Sequence, residues 1–183
     1  MRFPVELSPS PLETALQKLR AGRPGESGYG HRVALLLTIP AVDDPVARDV
    51  RRAVTGELYV VRSVWQRALD IPPRGRLSGI DPAMWLVQRA IAERRPSLWS
   101  TTVHVDRTEL TALLHAMGSI TLPCHPDRAS APPDATTFEL SFGADANETR
   151  YRWRGEPPPA WQPLASFASR LIQLVDKPVG ASR

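Results

Sequence analysis

Cysteine is almost missing from this chain of 183 residues; Cys124 is the single one. One thiol cannot close an intrachain disulfide or furnish a four-cysteine metal site, so packing has to hold the fold. Lysine is nearly as scarce, with Lys18 and Lys177 standing against 21 arginines. No long apolar run occurs. The longest lies near Val33–Ile39, well short of the roughly 20 residues that a membrane-spanning helix needs. The opening MRFPVELSPSP carries no apolar stretch of signal-peptide type, so a cytoplasmic protein without a membrane partner is expected. Internal repeats, coiled-coil heptads, a Gly-Lys-Ser/Thr phosphate loop and a His-Glu-x-x-His pair are all lacking. No cofactor and no metal are expected.

What is present describes an ordinary globular composition, with 42% hydrophobic and 23% charged residues. The length suits a single globular domain over 1–183, with 1–96 and 97–183 as candidate subdomains. The net charge is +4, unevenly placed: residues 1–96 hold 15 basic and 10 acidic groups, residues 97–183 hold 8 and 9. The 19 prolines cluster at expected element ends, as in Pro72-Pro73, Pro132-Pro133 and Pro157-Pro158-Pro159, which favours rigid joints over flexible linkers.

Local signals place the elements. Met1–Leu7 reads as a short edge strand. Ser10-Pro11-Leu12-Glu13 is a capping box with proline at the first helical position, and Leu12, Ala15, Leu16 and Leu19 continue at helical spacing to Gly22. The glycine-rich stretch 22–30 lies between this helix and the apolar strand Val33–Ile39. A phosphate cradle needs the reverse order, strand then loop then helix. From Pro45 to about Asp70, Val46, Val50, Val54, Leu58, Val61, Trp65 and Leu69 recur every three or four residues and predict a long helix, capped by Asp43 or Asp44 and interrupted at Gly56. On that helix Arg48, Arg51, Arg52 and Arg62 form an opposite, basic face. Asp81-Pro82 opens a further helix ending at Arg95.

The second half predicts a strand at Thr101–Val105, then a helix capped by Asp106 with Leu110, Leu113, Leu114 and Met117 on its buried face. A proline-rich connection runs from Pro123 to Pro133. Thr137–Phe142 and Thr149–Arg154 predict a hairpin. Alternation puts Phe138, Leu140, Phe142, Tyr151 and Trp153 on one face, with Glu139, Ser141, Arg150, Arg152 and Arg154 pointing outward. Trp161, Leu164, Ala165, Ala168, Leu171, Ile172 and Val175 form a helical stripe able to cover this sheet, with Trp99 and Trp161 flanking elements as candidate exposed rings. The expected fold class is α+β, a helix-rich N-terminal half packed on a small, mainly antiparallel sheet with a covering C-terminal helix.

Chemistry-bearing residues are few. His31, His104, His115 and His125 show no metal spacing. Asp106 reads as a cap and His115 as a helix-surface residue. A Cys124 thiolate would need His104 or His115 brought near by folding, because the adjacent His125 points away in an extended segment. The hairpin separates aromatic from basic residues, an arrangement unsuited to stacking single-stranded nucleic acid.

The order strand, helix, proline-rich turn, hairpin, helix over residues 101–175 is carried by Val103-His104-Val105-Asp106, Leu110…Leu113-Leu114, Leu122-Pro123, Phe138-Glu139-Leu140 and Trp161…Pro163-Leu164. This pattern resembles emfourin-type modules, small bacterial proteins that include inhibitors of metalloproteases. The resemblance implies an inhibitory or accessory function. Region 45–95 has no counterpart in it, and no inhibitory residue carries over.

The residues thus point to a non-catalytic protein-binding or accessory module with a protein partner. Its interface is expected at the hairpin row Arg150, Arg152 and Arg154 or at the basic face Arg48, Arg51, Arg52 and Arg62. A small enzyme using Cys124 with a histidine, and a nucleic-acid-binding protein using the arginine-rich first half, stand as alternatives.

Overall fold

A computed structural model of the chain describes residues 10–22, 30–70, 96–123, 131–143 and 148–177. The fold over these residues is α+β. Helix α1 spans Pro11–Ala21, followed by strands β1 (His31–Ile39), β2 (Val46–Arg52) and β3 (Leu58–Trp65) and a single helical turn, α2 (Arg67–Asp70). Then come β4 (Leu98–Val103), helix α3 (Arg107–Gly118), the hairpin β5 (Thr137–Phe142) and β6 (Thr149–Arg154), a 3-10 turn at Pro159–Trp161 and helix α4 (Gln162–Asp176). The six strands form one antiparallel sheet in the order β4-β3-β2-β1-β5-β6. Strands from both halves of the chain therefore pair side by side. No helix among the described residues is long and apolar enough to cross a membrane.

The expected helix-rich N-terminal half is not observed; strands dominate its described part. The long helix expected over 45–70 is the β2–β3 hairpin, with Val46 opposite Val64, Arg48 opposite Arg62 and Val50 opposite Val60. The apolar residues there fit a helical stripe, but they fit alternation equally, and they are rich in β-branched and aromatic side chains that favour a pleated surface. Gly56 decides the matter locally. It adopts φ 87° in a turn where the Ala53 N–H donates to the Glu57 carbonyl and the Gly56 N–H to the Ala53 carbonyl, a conformation other residues adopt with strain. Val54, a supposed core residue, stands 97% exposed at this turn. Asp44 does serve a helix start, but that of α2: its Oδ1 accepts the Arg67 N–H at 2.8 Å.

Two layers of side chains close the sheet. On one face Ala34, Leu36, Val50, Val60, Leu140 and Trp153 pack against Leu110 and Leu113 of α3 and Leu164, Phe167, Ala168, Leu171 and Val175 of α4. Aromatic pairs tie the hairpin into this layer, with Phe138 stacked on Trp153 at 5.3 Å and Phe142 edge-on to Phe167 at 5.4 Å. Trp161 is buried, as its place in the covering stripe requires and unlike a flanking exposed ring. Its ring meets Tyr151 edge-on, and its Nε1 donates to the Pro123 carbonyl. On the opposite face Ala15, Leu16 and Leu19 of α1 cover Leu35, Leu37, Ala47 and Trp65. Burial of each large apolar side chain contributes about 1.5–3 kcal/mol.

The capping box of α1 is formed as the sequence predicts, Ser10 Oγ accepting from Glu13 N and Glu13 Oε2 from Ser10 N. Asp106 likewise caps α3 through the Glu109 N–H. The hairpin strands have the predicted limits, and Phe138 pairs with Trp153 and Leu140 with Tyr151 across them. The predicted strand at Met1–Leu7, the helix at 81–95 and Cys124 with His125 lie outside the described residues.

Candidate functional site

The face of the sheet under α1 is apolar only beneath the helix itself. Past the helix C-terminus it turns into a belt of charge. Arg20, in the last turn of α1, donates from Nε and Nη2 to both carboxylate oxygens of Glu139, at 2.8 and 2.7 Å. Arg152, opposite Glu139 on β6, approaches the same carboxylate at 3.4 Å. One strand row further, Asp49 accepts from Arg32 and Arg51. Arg150 reaches Glu148 at 2.9 Å. Paired hydrogen bonds of the Arg20–Glu139 kind are the strong class of charge-assisted contact.

Electrostatics follow from this geometry. The Glu139 carboxylate, mainly through its hydrogen bond, makes the Arg20 guanidinium hold its proton more firmly than usual. The Ser141 hydroxyl holds the Glu148 carboxyl below the ordinary glutamate value, with Arg150 and Arg32 adding to the effect. Ser141 Oγ and Glu148 Oε1 are both buried without a formed hydrogen bond, so the hydroxyl acts on the carboxylate by proximity.

The predicted interface residues divide into two groups. Arg48, Arg51, Arg52 and Arg62 do not share a helix face, because there is no helix. Arg48 is buried and, with the opposed Arg62, grips Asp176 at the end of α4, while its Nη1 donates to Thr38. Arg51 belongs to the Asp49 cluster. Arg52 is exposed at the end of β2. The second group is placed as expected: Arg150, Arg152 and Arg154 follow one another along β6, the outermost strand of the described sheet on that side. The Arg150 and Arg152 side chains are 49% and 65% exposed. Arg154 donates to the carbonyls of Pro133 and Ala135.

Sequence reasoning missed the acids. Glu139 was expected to face solvent, yet it is buried, because α1 and Arg20 lie over that face of the sheet. Asp49, expected only as an acid beside the basic helix face, is buried between Arg32 and Arg51. The available signal was a lone carboxylate in the middle of an apolar strand, Phe138-Glu139-Leu140, which requires a cationic partner when both faces are covered. His31, His104 and His115 are exposed, and His104 lies just past β4 rather than within it. Among the described residues, no three of His, Cys, Asp and Glu converge to hold a metal ion. Comparison with protein families, with curated proteins and with solved structures finds no match.

Proposed function

We propose that this chain is a non-catalytic protein-binding or accessory module that takes up an acidic, extended segment of a protein partner along β6. The observation that carries this reading is the recurrence of Arg150, Arg152 and Arg154 at every second position of β6, outermost among the described strands. Such a strand offers backbone N–H and C=O groups at its outer side, and an added strand satisfies them while alternate side chains set specificity. A row of like charges repels a second copy of the same edge and favours a partner with carboxylates at alternate positions. Supporting it, Glu139 and Glu148 neutralise only part of the local charge, since Arg20 and Arg152 share Glu139, Arg150 pairs with Glu148, and Arg154 has no carboxylate partner among the described residues. The basic face once expected at Arg48, Arg51 and Arg62 contributes little, because ion pairs within the fold occupy it. Inhibition of a partner enzyme, as the resemblance to emfourin-type modules implies, is one form this binding takes in the proposal, with the cytoplasm as its setting.

The test compares two synthetic peptides of identical composition. One has glutamate at alternate positions between Thr and Val; in the other the glutamates are contiguous. The alternating peptide is expected to bind more tightly, and the triple variant R150E/R152E/R154E to weaken it at least about tenfold. Equal binding of the two peptides, or binding indifferent to the triple variant, would remove β6 as the interface.

A further inference from the structure

At the opposite end of the α1 face from the charge belt, the end of β1 and the chain leading into β5 enclose a cleft of about 350 Å³. Its walls include Leu12, Ile39, Pro40 and Pro133, together with the guanidinium-bearing side chains of Arg67 and Arg154. Both arginines are fixed in place by neutral groups. Arg67 donates to the carbonyls of Pro40, Ala41 and Val42 and lies 5.6 Å from the Trp65 ring centre. Arg154 donates to the carbonyls of Pro133 and Ala135. Carbonyl dipoles and an aromatic face orient a guanidinium without cancelling its charge.

Every other described arginine of the sheet face under α1 has a carboxylate partner; these two have none among the described residues. Nearby acids are otherwise engaged or apart. Asp44 accepts from the Arg67 backbone N–H, Glu13 accepts from Ser10, and Asp134 makes no ion pair with Arg154. The cleft thus combines apolar walls with two uncompensated, pre-oriented cations.

We infer that this cleft binds a small amphipathic carboxylate, its apolar body against Leu12, Ile39 and the two prolines and its carboxylate toward Arg154. Both arginines retain unspent donors, Arg67 at a buried Nε and Arg154 at Nη1; Arg154 is the more exposed and makes the direct contact, whereas Arg67 contributes the field of a fixed charge. The volume holds roughly a dozen water-sized groups, which suits a short acyl chain and is too small for a folded epitope.

The probe is octanoate, titrated into the full chain and followed by amide chemical shifts, beside octanamide, which has the same chain without the charge. Saturable shifts clustered at Leu12, Ile39, Ala41 and Ala135 are expected, with octanamide binding at least about tenfold more weakly. Ala41 is exposed and lines the cleft without lying on β6. A41W is therefore expected to fill the cleft and abolish octanoate binding while leaving acidic-peptide binding at β6 intact. R154Q is expected to lower octanoate affinity by about tenfold. Equal affinity for octanoate and octanamide, shifts scattered over the whole chain, or undiminished binding by a folded A41W would overturn the assignment. Tighter binding of the tripeptide acetyl-Gly-Gly-Leu than of octanoate would overturn it too, by pointing to a protein C-terminus instead.

Discussion

Against the face of the sheet that carries Leu36, Val50, Val60 and Leu140 lie two helices of 12 and 15 residues; against the other lies α1, with 11. The longer pair covers enough area for the first face to be closed almost wholly by apolar contact. Among the described residues the shorter helix covers less of the second face, and beside it the sheet carries Asp49, Glu139, Arg32 and Arg152, with both acids buried. A buried charge without a partner is costly, and a paired one roughly breaks even. The first face therefore supplies stability, and the second supplies registration of α1 on the sheet. An exposed basic row remains at its margin.

The largest effect tests the apolar face. Leu171 is fully buried in the α4 layer, and Leu171→Ala is expected to cost about 2–5 kcal/mol in chemical denaturation. Leu16→Ala on α1 should cost visibly less; equal losses would erase the distinction between the faces. Next comes Glu139→Gln, which leaves Arg20 and Arg152 facing a neutral amide. About 1–3 kcal/mol is expected, toward the lower end because Arg20 stays partly solvated. A double-mutant cycle with Arg20→Met should return a coupling energy of the same sign, and a null coupling would make the belt mere decoration.

Asp176→Asn probes the clasp by which the apolar face holds the buried Arg48. It leaves the buried Arg48 with Thr38 and a neutral amide oxygen in place of a carboxylate, and is expected to cost about 1–2 kcal/mol by thermal melting. Ser10→Ala removes half of the α1 capping box and should cost about 1 kcal/mol. The smallest effect concerns pH. Glu148 titrates below its ordinary value in the folded chain, so it stabilises the fold above that value, and this contribution fades as pH falls through the lowered one. Glu148→Gln should lower Tm slightly at neutral pH and flatten the acid limb, so that the variant and parent curves converge at low pH. An unchanged acid limb would show that Ser141 and Arg150 do not favour the carboxylate.

Where a signal was local, the sequence was readable. The Ser10 and Asp106 caps, the buried strand beginning near Val33, the β5–β6 hairpin with its arginine row and the stripe of α4 all depend on neighbours a few residues apart. The region 45–70 failed because Val46, Val50, Val61 and Trp65 satisfy both a period of 3.6 and a strand hairpin, and only pairing with β1 and β4 selects between them. The arginine cleft was not legible at all, since Arg67 and Arg154 are 87 residues apart in number and meet only through the chain ends around the sheet.

Composition and short-range spacing alone determined that this is an α+β chain held by packing, with no disulfide and with a basic, alternating hairpin, because those properties reside in adjacent residues. Tertiary structure alone decided which charges are spent. Arg48 and Arg62 meet Asp176 from positions more than a hundred residues away, and the packing over both sheet faces makes Glu139 and Asp49 internal. Burial is a property of the assembled sheet and its helices, and no window of sequence contains it.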